Sequence, residues 1–468
     1  MLTILHKSIH SRYSDRYYIL GNQYRTYLSP SYTCTNSWAK RLETPILKDI
    51  STEDFALKIQ SKLDKGIRIA SVDMDILANK LELIDTMQLD YMETLFYKFR
   101  HTAEAVHVKE STNHAFIRAL IKFGEFERLF KILQDPINYG IFLDDFTSSQ
   151  LLDHFIVNED FHSAAQVAYQ LMLQEEFSHP ISRILSLHGC DQHWRKHDFS
   201  ATNENDVEDK NDDEEEEEWI RVGFITPPWF DGHFDIKNEQ WLLGKTFTYL
   251  GREIESILGR SYQLIGHGLF EKFDQGLELL KADNSEKVVA IEAMEAFKIL
   301  LENCPTKEDP PKKDLGVVKL EDVIPYVRPE EKEIYIQEFN KIYNNLKLEG
   351  KLEDLDLEKE VKKLMENTIA QTEAYDIEKQ EKLYKNWNEI REESLKKEIE
   401  AMKVDQEKKE IAEKLIQLQN REEKLSYFEQ LEKIKLGIQR GPKIVPITEV
   451  KEEEEFVAAP GERGRKKQ

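Results

Sequence analysis

Apolar residues recur every three or four positions from about Ile50 to Leu187. This spacing places them on one face of an α-helix, whereas a strand would need an alternating pattern, and no such pattern occurs in this region. We therefore expect this part of the chain to be built from helices.

The helical region repeats itself with a period of 35 residues. A shift by one period aligns the turn Gly124-Glu125 with Glu159-Asp160, and it superposes four apolar pairs, namely Phe116 on Leu151, Leu120 on Phe155, Phe126 on Phe161 and Phe142 on Phe177. One period earlier, Leu81 and Tyr91 align more loosely with Phe116 and Phe126. Each unit reads as a helix (113–123), a short turn, a second helix (126–133) and an exit loop. Such hairpins cannot bury their apolar faces alone, so we expect an α-solenoid, with coincidental hairpins as the alternative.

A helix-turn-helix unit of about 35 residues is the length of the pentatricopeptide repeat, and the tetratricopeptide repeat is about one residue shorter. The first type reads single-stranded RNA with a few side chains per repeat, whereas the second usually binds peptides. The base-reading positions here hold His114 with Asp144 and Ser149 with His179. These side chains can hydrogen-bond a base edge, but the pairs differ between repeats. The sequence predicts a scaffold able to contact RNA, without a readable code.

Changes in composition divide the rest of the chain. Residues 203–218 hold eleven acidic side chains and one lysine, so we expect a disordered insert. Helical spacing resumes after it, with an expected interruption near Gly266-His267-Gly268, and a run rich in proline follows. The predicted segments are helical repeats at 43–202, the acidic insert at 203–218, further helical hairpins at 219–303, a proline-containing linker at 304–329, a charged helical arm at 330–440 and a disordered tail at 441–468.

The arm carries a narrow apolar stripe, which includes Leu383, Trp387 and Ile390. Such a stripe suits a coiled-coil seam or a helix that lies along another surface. The register slips between blocks, which favours a helical hairpin or extended arm over a long two-chain coiled coil. The predicted fold class is therefore all-α, a pentatricopeptide-type solenoid followed by a long charged arm.

Charge and composition restrict the partners. The 468 residues carry a net charge of −24, so RNA contact would have to use a local basic patch. The three cysteines are far apart and odd in number, which fits a reducing compartment. No run of 18 apolar residues occurs, and we expect no membrane insertion.

The first 42 residues have the composition of a mitochondrial transit peptide. They contain six Lys or Arg against one acidic residue, Asp15, and many hydroxyl side chains. A disordered basic tail is the alternative. We expect a matrix location and a leader over residues 1–42.

Specific motifs between Tyr91 and Leu187 resemble a family of mitochondrial ribosomal proteins. They are Tyr97-Lys98-Phe99-Arg100-His101, Tyr139-Gly140-Ile141-Phe142, Asp145-Phe146-Thr147, Gln174-Glu175-Glu176-Phe177 and Leu185-Ser186-Leu187. The family is the pentatricopeptide-repeat type of the small subunit, twenty-seventh in that series. The resemblance implies a structural, non-enzymatic subunit that binds small-subunit ribosomal RNA and neighbouring ribosomal proteins and supports mitochondrial translation. A mitochondrial pentatricopeptide RNA-maturation factor that is not stably bound to the ribosome is the alternative.

Candidate chemistry is sparse. Leu243-Gly244-Lys245-Thr246 resembles the end of a phosphate-binding loop, but Glu239 stands where that loop needs its first glycine. His188, Cys190, His193 and His197 could be zinc ligands, yet Arg195 and Lys196 lie among them, which favours a polar loop that closes the repeats. We expect no catalytic residue, cofactor, metal or small-molecule substrate.

The basic residues Lys98 and Arg100 are the best local candidates for phosphate contact, and Tyr97 and Phe99 beside them are expected in the core. Arg118 and Lys122 belong to a weaker cluster in the next repeat. The RNA-binding candidates are Lys98, Arg100, His114, Arg118, Lys122, Asp144, Ser149 and His179.

Overall fold

The computed structural model describes residues 26–197, 229–281, 289–307 and 323–435. The acidic insert predicted at 203–218 and the tail predicted at 441–468 lie outside these ranges, as does most of the predicted leader. Within the described residues the chain divides into two units, Met1–Trp387 and Asn388–Gln468.

The prediction of an all-α fold is confirmed. Short 3₁₀ turns connect several of the helices, and the two strands, β1 (Val289–Ala290) and β2 (Leu352–Glu353), form one short parallel pair. The helices among the described residues are α1 (Thr35–Ala39), α2 (Pro45–Lys48), α3 (Thr52–Asp64), α4 (Ser71–Lys80), α5 (Leu89–Arg100), α6 (Glu110–Phe123), α7 (Phe126–Gln134), α8 (Pro136–Tyr139), α9 (Asp145–Val157), α10 (Phe161–Leu173), α11 (Pro180–Lys196), α12 (Glu239–Arg252), α13 (Ile257–Leu269), α14 (Phe273–Lys281), α15 (Ile291–Asn303), α16 (Pro329–Leu348) and α17 (Leu357–Lys435).

The backbone carries the period of 35 residues. The first helices α6, α9 and α11 begin at Glu110, Asp145 and Pro180, one period apart each time. The turns after α6 and α9 contain left-handed residues at the same register, with φ of 72° at Gly124 and 58° at Glu159. Such a residue ends a helix by turning the chain away from its axis. First helices pack on first helices, and second helices pack beside them. The assignment to the pentatricopeptide type and to a solenoid stays a prediction.

Close approach between α12 and α13 explains a cluster of glycines that the sequence analysis interpreted differently. A Cβ on Gly244 would lie 2.7 Å from the carbonyl oxygen of Gly266, and one on Gly251 would lie 2.5 Å from the carbonyl oxygen of Gly259. The expected interruption near Gly266-His267-Gly268 falls a few residues later, because α13 includes these three residues and ends at Leu269, before α14 begins at Phe273. These glycines let two helix backbones touch.

The loop predicted around His188 to His197 is also wrong. Residues 180–196 form the helix α11, with His188, Cys190 and His193 buried. The helix begins at a proline that follows the N-cap residue His179, which is a favoured arrangement for a helix start.

The segment before α3 belongs to the core of the first unit. The ring of Tyr32 stacks on Phe146 at 4.8 Å, and Trp38 is 3% exposed beneath the guanidinium of Arg41. Residues 26–42, the end of the predicted leader, thus bury aromatic side chains, whereas 1–25 lie outside the described residues. The leader over residues 1–42 stays a prediction.

Helix α17 contributes to both units. Its first part, up to Trp387, buries an apolar stripe against the first unit, formed by Leu357, Val361, Met365, Ile369, Tyr384 and Trp387. From Asn388 onwards the second unit is a charged helix with exposed apolar side chains such as Met402 and Leu415. Of the described helices, none has both the length and the apolar character needed to cross a membrane.

Candidate nucleic-acid interface

The first helices of the repeats present the predicted base-reading positions to one side of the first unit, and this side is covered by protein. Residues 373–387 of α17 lie over the beginnings of α6 and α11, where Tyr384 contacts His114 and Asp376 contacts His179. The segment 29–37 lies beside the same helix, because Ser29 N donates to Glu373 at 2.8 Å. The predicted base-reading positions are thus covered by the chain itself.

His114 is the centre of a chain of hydrogen bonds. Its Nδ1 is 2.5 Å from Asp144 Oδ2, and its Nε2 is 3.1 Å from the hydroxyl of Tyr384. That hydroxyl also accepts a bond from Nη1 of Arg118 at 3.0 Å. A neutral imidazole satisfies every partner, since Nδ1–H donates to the carboxylate and Nε2 accepts from the tyrosine.

The surroundings keep His114 neutral. Its side chain has no exposed surface, and the rings of Trp387 and Trp38 lie at 5.0 and 5.1 Å. Burial lowers the pKa of His114 and outweighs the opposing attraction of Asp144. Burial alone would raise the pKa of Asp144, but His114 and the donors on Thr147 hold it below its usual value. The pair is therefore an aspartate beside a neutral histidine.

Asp144, Ser149 and His179 also have structural roles. Asp144 caps α9 by accepting from Thr147 N at 2.7 Å, and Ser149 Oγ donates to the carbonyl of Asp145. His179 caps α11 through Nδ1, and its Nε2 lies 2.8 Å from Asp376 Oδ2, with both side chains 8% exposed. RNA contact by these three side chains and by His114 stays a prediction, and it requires α17 to leave this face.

The basic candidates are more accessible. Lys98 Nζ pairs with Asp64 at 3.2 Å on a surface where both side chains are well exposed, and the exposed Lys122 donates to the carbonyl of Glu82. Arg100 donates to the carbonyl of Ile137 and lies against Gly140. Arg118 is half-buried, with Nη2 on the carbonyl of Thr33. Exposed ion pairs of this kind are weak, so Lys98 can exchange its partner for a phosphate.

Two aromatic residues beside these cations were expected in the core. Phe99 is 2% exposed, which confirms the expectation, whereas Tyr97 is 41% exposed and the expectation for it is wrong. Tyr97 lies at the surface because it faces Tyr139 and His101 from the outer side of α5. An exposed ring beside Lys98 is the combination that stacks a base and holds its phosphate.

The sequence analysis missed the residues of α17 that cover the face, above all Asp376 and Tyr384. Both are polar, and they lie about 200 to 270 residues away from their partners in the chain. The signal that was available is the narrow stripe through Leu383 and Trp387, which indicated a helix lying along another surface.

Comparison with known protein families shows to which family the chain belongs. A family model described as mitochondrial 28S ribosomal protein S27 matches residues 3–417. The chain belongs to this family. It is therefore a protein of the mitochondrial small ribosomal subunit, and its compartment is the mitochondrial matrix, where that ribosome resides. The match includes both the repeats and the part of α17 that covers them, so the covered face lies within the family's extent.

Proposed function

We propose that the protein is a structural, non-catalytic component of the mitochondrial small ribosomal subunit, which binds ribosomal RNA and neighbouring ribosomal proteins and supports mitochondrial translation. The observation that carries this proposal is the family match over residues 3–417. A scaffold role also fits a first unit whose repeat face is filled by its own helix, because a filled face offers surface for assembly instead of a groove for changing ligands.

The RNA contacts are proposed at the exposed cations. Lys98 on α5 pairs with the carboxylate of Asp64, and Lys122 on α6 donates to the carbonyl of Glu82, both at the surface. A phosphate can replace either partner without uncovering a buried group. Arg100 and the exposed ring of Tyr97 lie beside Lys98 in the last turn of α5. Neighbouring proteins are proposed at the second unit, whose apolar side chains are exposed along a charged helix.

Sedimentation tests the proposal most directly. Gently lysed mitochondria are separated on a sucrose gradient at moderate salt, and the protein is followed together with small-subunit RNA. We expect it to migrate with that RNA and with the joined ribosome. A peak confined to light fractions would contradict the proposal and favour a free RNA-maturation factor.

Charge reversal tests the proposed RNA surface. In mitochondria that express the double variant K98E/K122E, ultraviolet crosslinking of the protein to small-subunit RNA should fall at least about tenfold, because two phosphate contacts become repulsive. K58E, which reverses one exposed lysine on α3, is the control and should crosslink like the unaltered protein. Equal crosslinking by all three proteins would show that the RNA surface lies elsewhere.

A further inference from the structure

Three histidines and one glutamate from three helices converge at the end of the repeats. His162 lies on α10, His193 lies on α11 with His197 at its C-cap, and Glu239 is the first residue of α12. Glu239 Oε1 is 3.0 Å from both His162 Nδ1 and His193 Nε2, and Glu239 Oε2 is 4.0 Å from His197 Nε2. Residues that are far apart in sequence thus direct imidazole nitrogens at one carboxylate.

The spacing of these atoms suits a transition-metal ion. The candidate ligand atoms of His162, His193 and Glu239 all lie within 4.8 Å of one another. A tetrahedral zinc ion with bonds of about 2.0–2.1 Å places its ligands about 3.4 Å apart. The two nitrogen–oxygen distances of 3.0 Å would therefore lengthen by only a few tenths of an ångström to accept the ion. Imidazole and carboxylate are also the donor types that zinc takes.

Burial and supporting contacts make the arrangement a formed site instead of a chance surface group. His193 is 3% exposed and held within α11, whereas His162 is half-exposed and leaves the cluster open to solvent on one side. The side-chain amide of Gln166, one turn along α10, lies 3.0 Å from His162 Nε2. The amide nitrogen faces the ring in this structure and donates to Nε2. Rotation of the amide by 180° would present its oxygen, which accepts the Nε2–H and leaves Nδ1 free to bind zinc.

We propose that His162, His193 and Glu239 bind a zinc ion, and that His197, whose Nε2 lies 4.0 Å from Glu239 Oε2 and outside the group of three, moves in as the fourth ligand. Four protein ligands close the coordination sphere, which is typical of a structural site. The ion would join α10 and α11, the last repeat helices, to α12, the first helix described after residue 228. Zinc would therefore stabilise the packing between the repeats and the hairpins that follow them.

The alternative is a plain cluster of hydrogen bonds, in which a protonated histidine and a neutral one both donate to Glu239. The hydrogen bond to Glu239 raises the pKa of His162, and the two histidines hold the pKa of Glu239 well below its usual value. Both effects are also what a metal-free cluster would give. Direct measurement of zinc binding distinguishes a zinc site from the metal-free cluster.

The test uses the purified full chain, stripped with a chelator and then titrated with zinc alone by calorimetry, with cobalt as a coloured substitute. We expect one tight zinc ion per chain and the visible absorption of tetrahedral cobalt. Because loss of even an outer-shell partner weakens metal binding about 10–100-fold, H162N and E239Q should weaken it by at least about 100-fold. H107N, an exposed histidine outside the cluster, is the matched control and should bind as the unaltered chain does.

Fold is checked in parallel by circular dichroism. H162N changes a half-exposed side chain, and E239Q keeps the size of Glu239 and one of its two acceptor oxygens, so both variants should retain the helical spectrum. Zinc should raise the melting temperature of the unaltered chain and of H107N, but not of E239Q. The proposal is overturned if the stripped chain binds no zinc, or if folded H162N and E239Q bind it as tightly as H107N does.

Discussion

Removal of one hydroxyl from α17 tests whether this helix is held over the repeats by the network described above. In Y384F the ring remains, but the oxygen that accepts from Arg118 and donates to His114 is lost. Burial raises the pKa of Tyr384 to about 12, so at neutral pH the hydroxyl holds its proton and is the donor to His114. The substitution therefore leaves His114 Nε2 without that donor in a place that water does not reach.

A buried acceptor left without its donor costs about 1–3 kcal/mol. Arg118 adds little, because it is half-buried and keeps its bond to the carbonyl of Thr33. We therefore expect the free energy of unfolding of Y384F to fall by about 1–3 kcal/mol, measured by urea denaturation followed by circular dichroism. Y375F is the control, since Tyr375 lies on the same helix with 69% exposure and should change stability by less than about 0.5 kcal/mol. Equal stabilities of Y384F and Y375F would refute the reasoning.

Three further predictions concern other parts of the first unit. Burial lowers the pKa of His188 to about 4, so as the pH falls below about 6.5 the unfolded chain takes up a proton that the folded chain does not, and the folded state loses stability. H188N should therefore remove about 2 kcal/mol of the stability loss measured between pH 7 and pH 5. An unchanged loss would contradict this. Mass spectrometry of the protein isolated from mitochondria should find its N-terminus before Tyr27, because Tyr27 N donates to Asp153 and the residues after it pack into the core. A terminus near residue 43 would contradict this. G259A should destabilise the chain by more than about 2 kcal/mol, because its Cβ would overlap the carbonyl of Ile254 in the turn before α13 and would lie 2.7 Å from the carbonyl of Gly251 in α12. G232A, with 3.8 Å to its nearest neighbour, should be close to neutral. Thermal melting compares the two, and equal melting temperatures would be inconsistent with this close packing.

The sequence predicts the helices well because their signals are local. The period of 35 residues depends on matched apolar positions and on a turn, and the structure repeats helix starts and left-handed residues at that period. The glycines of α13 show the limit of such signals. A glycine that opens a turn and a glycine that admits a neighbouring backbone look identical in sequence, and only the partner helix distinguishes Gly124 from Gly266.

The candidate sites depend on contacts that no local pattern contains. His114 and Asp144 were singled out as a polar pair, and they do meet, but their next neighbour Tyr384 comes from the other end of the chain. The histidine cluster likewise depends on contacts between residues that are far apart in the chain. His193 and His197 were noticed because they are four residues apart, whereas His162 and Glu239 could be added only when three helices had been placed together. Cys190, the ligand that proximity in sequence suggested, is buried and lies outside the group that the structure brings together.

The contacts between residues 29–37 and α17 determine when folding can finish. Ser29 and Ser37 bond to Glu373 and Glu381, partners that are 344 residues further along the chain. The entropy of closing so long a loop grows only slowly with length, so the consequence concerns time more than energy. While the last part of the chain is still being synthesised or imported, Trp38 and His114 have no cover, and the repeats present an open aromatic surface. Newly made chains should therefore depend on chaperones until α17 arrives, and fragments that end before residue 357 should aggregate.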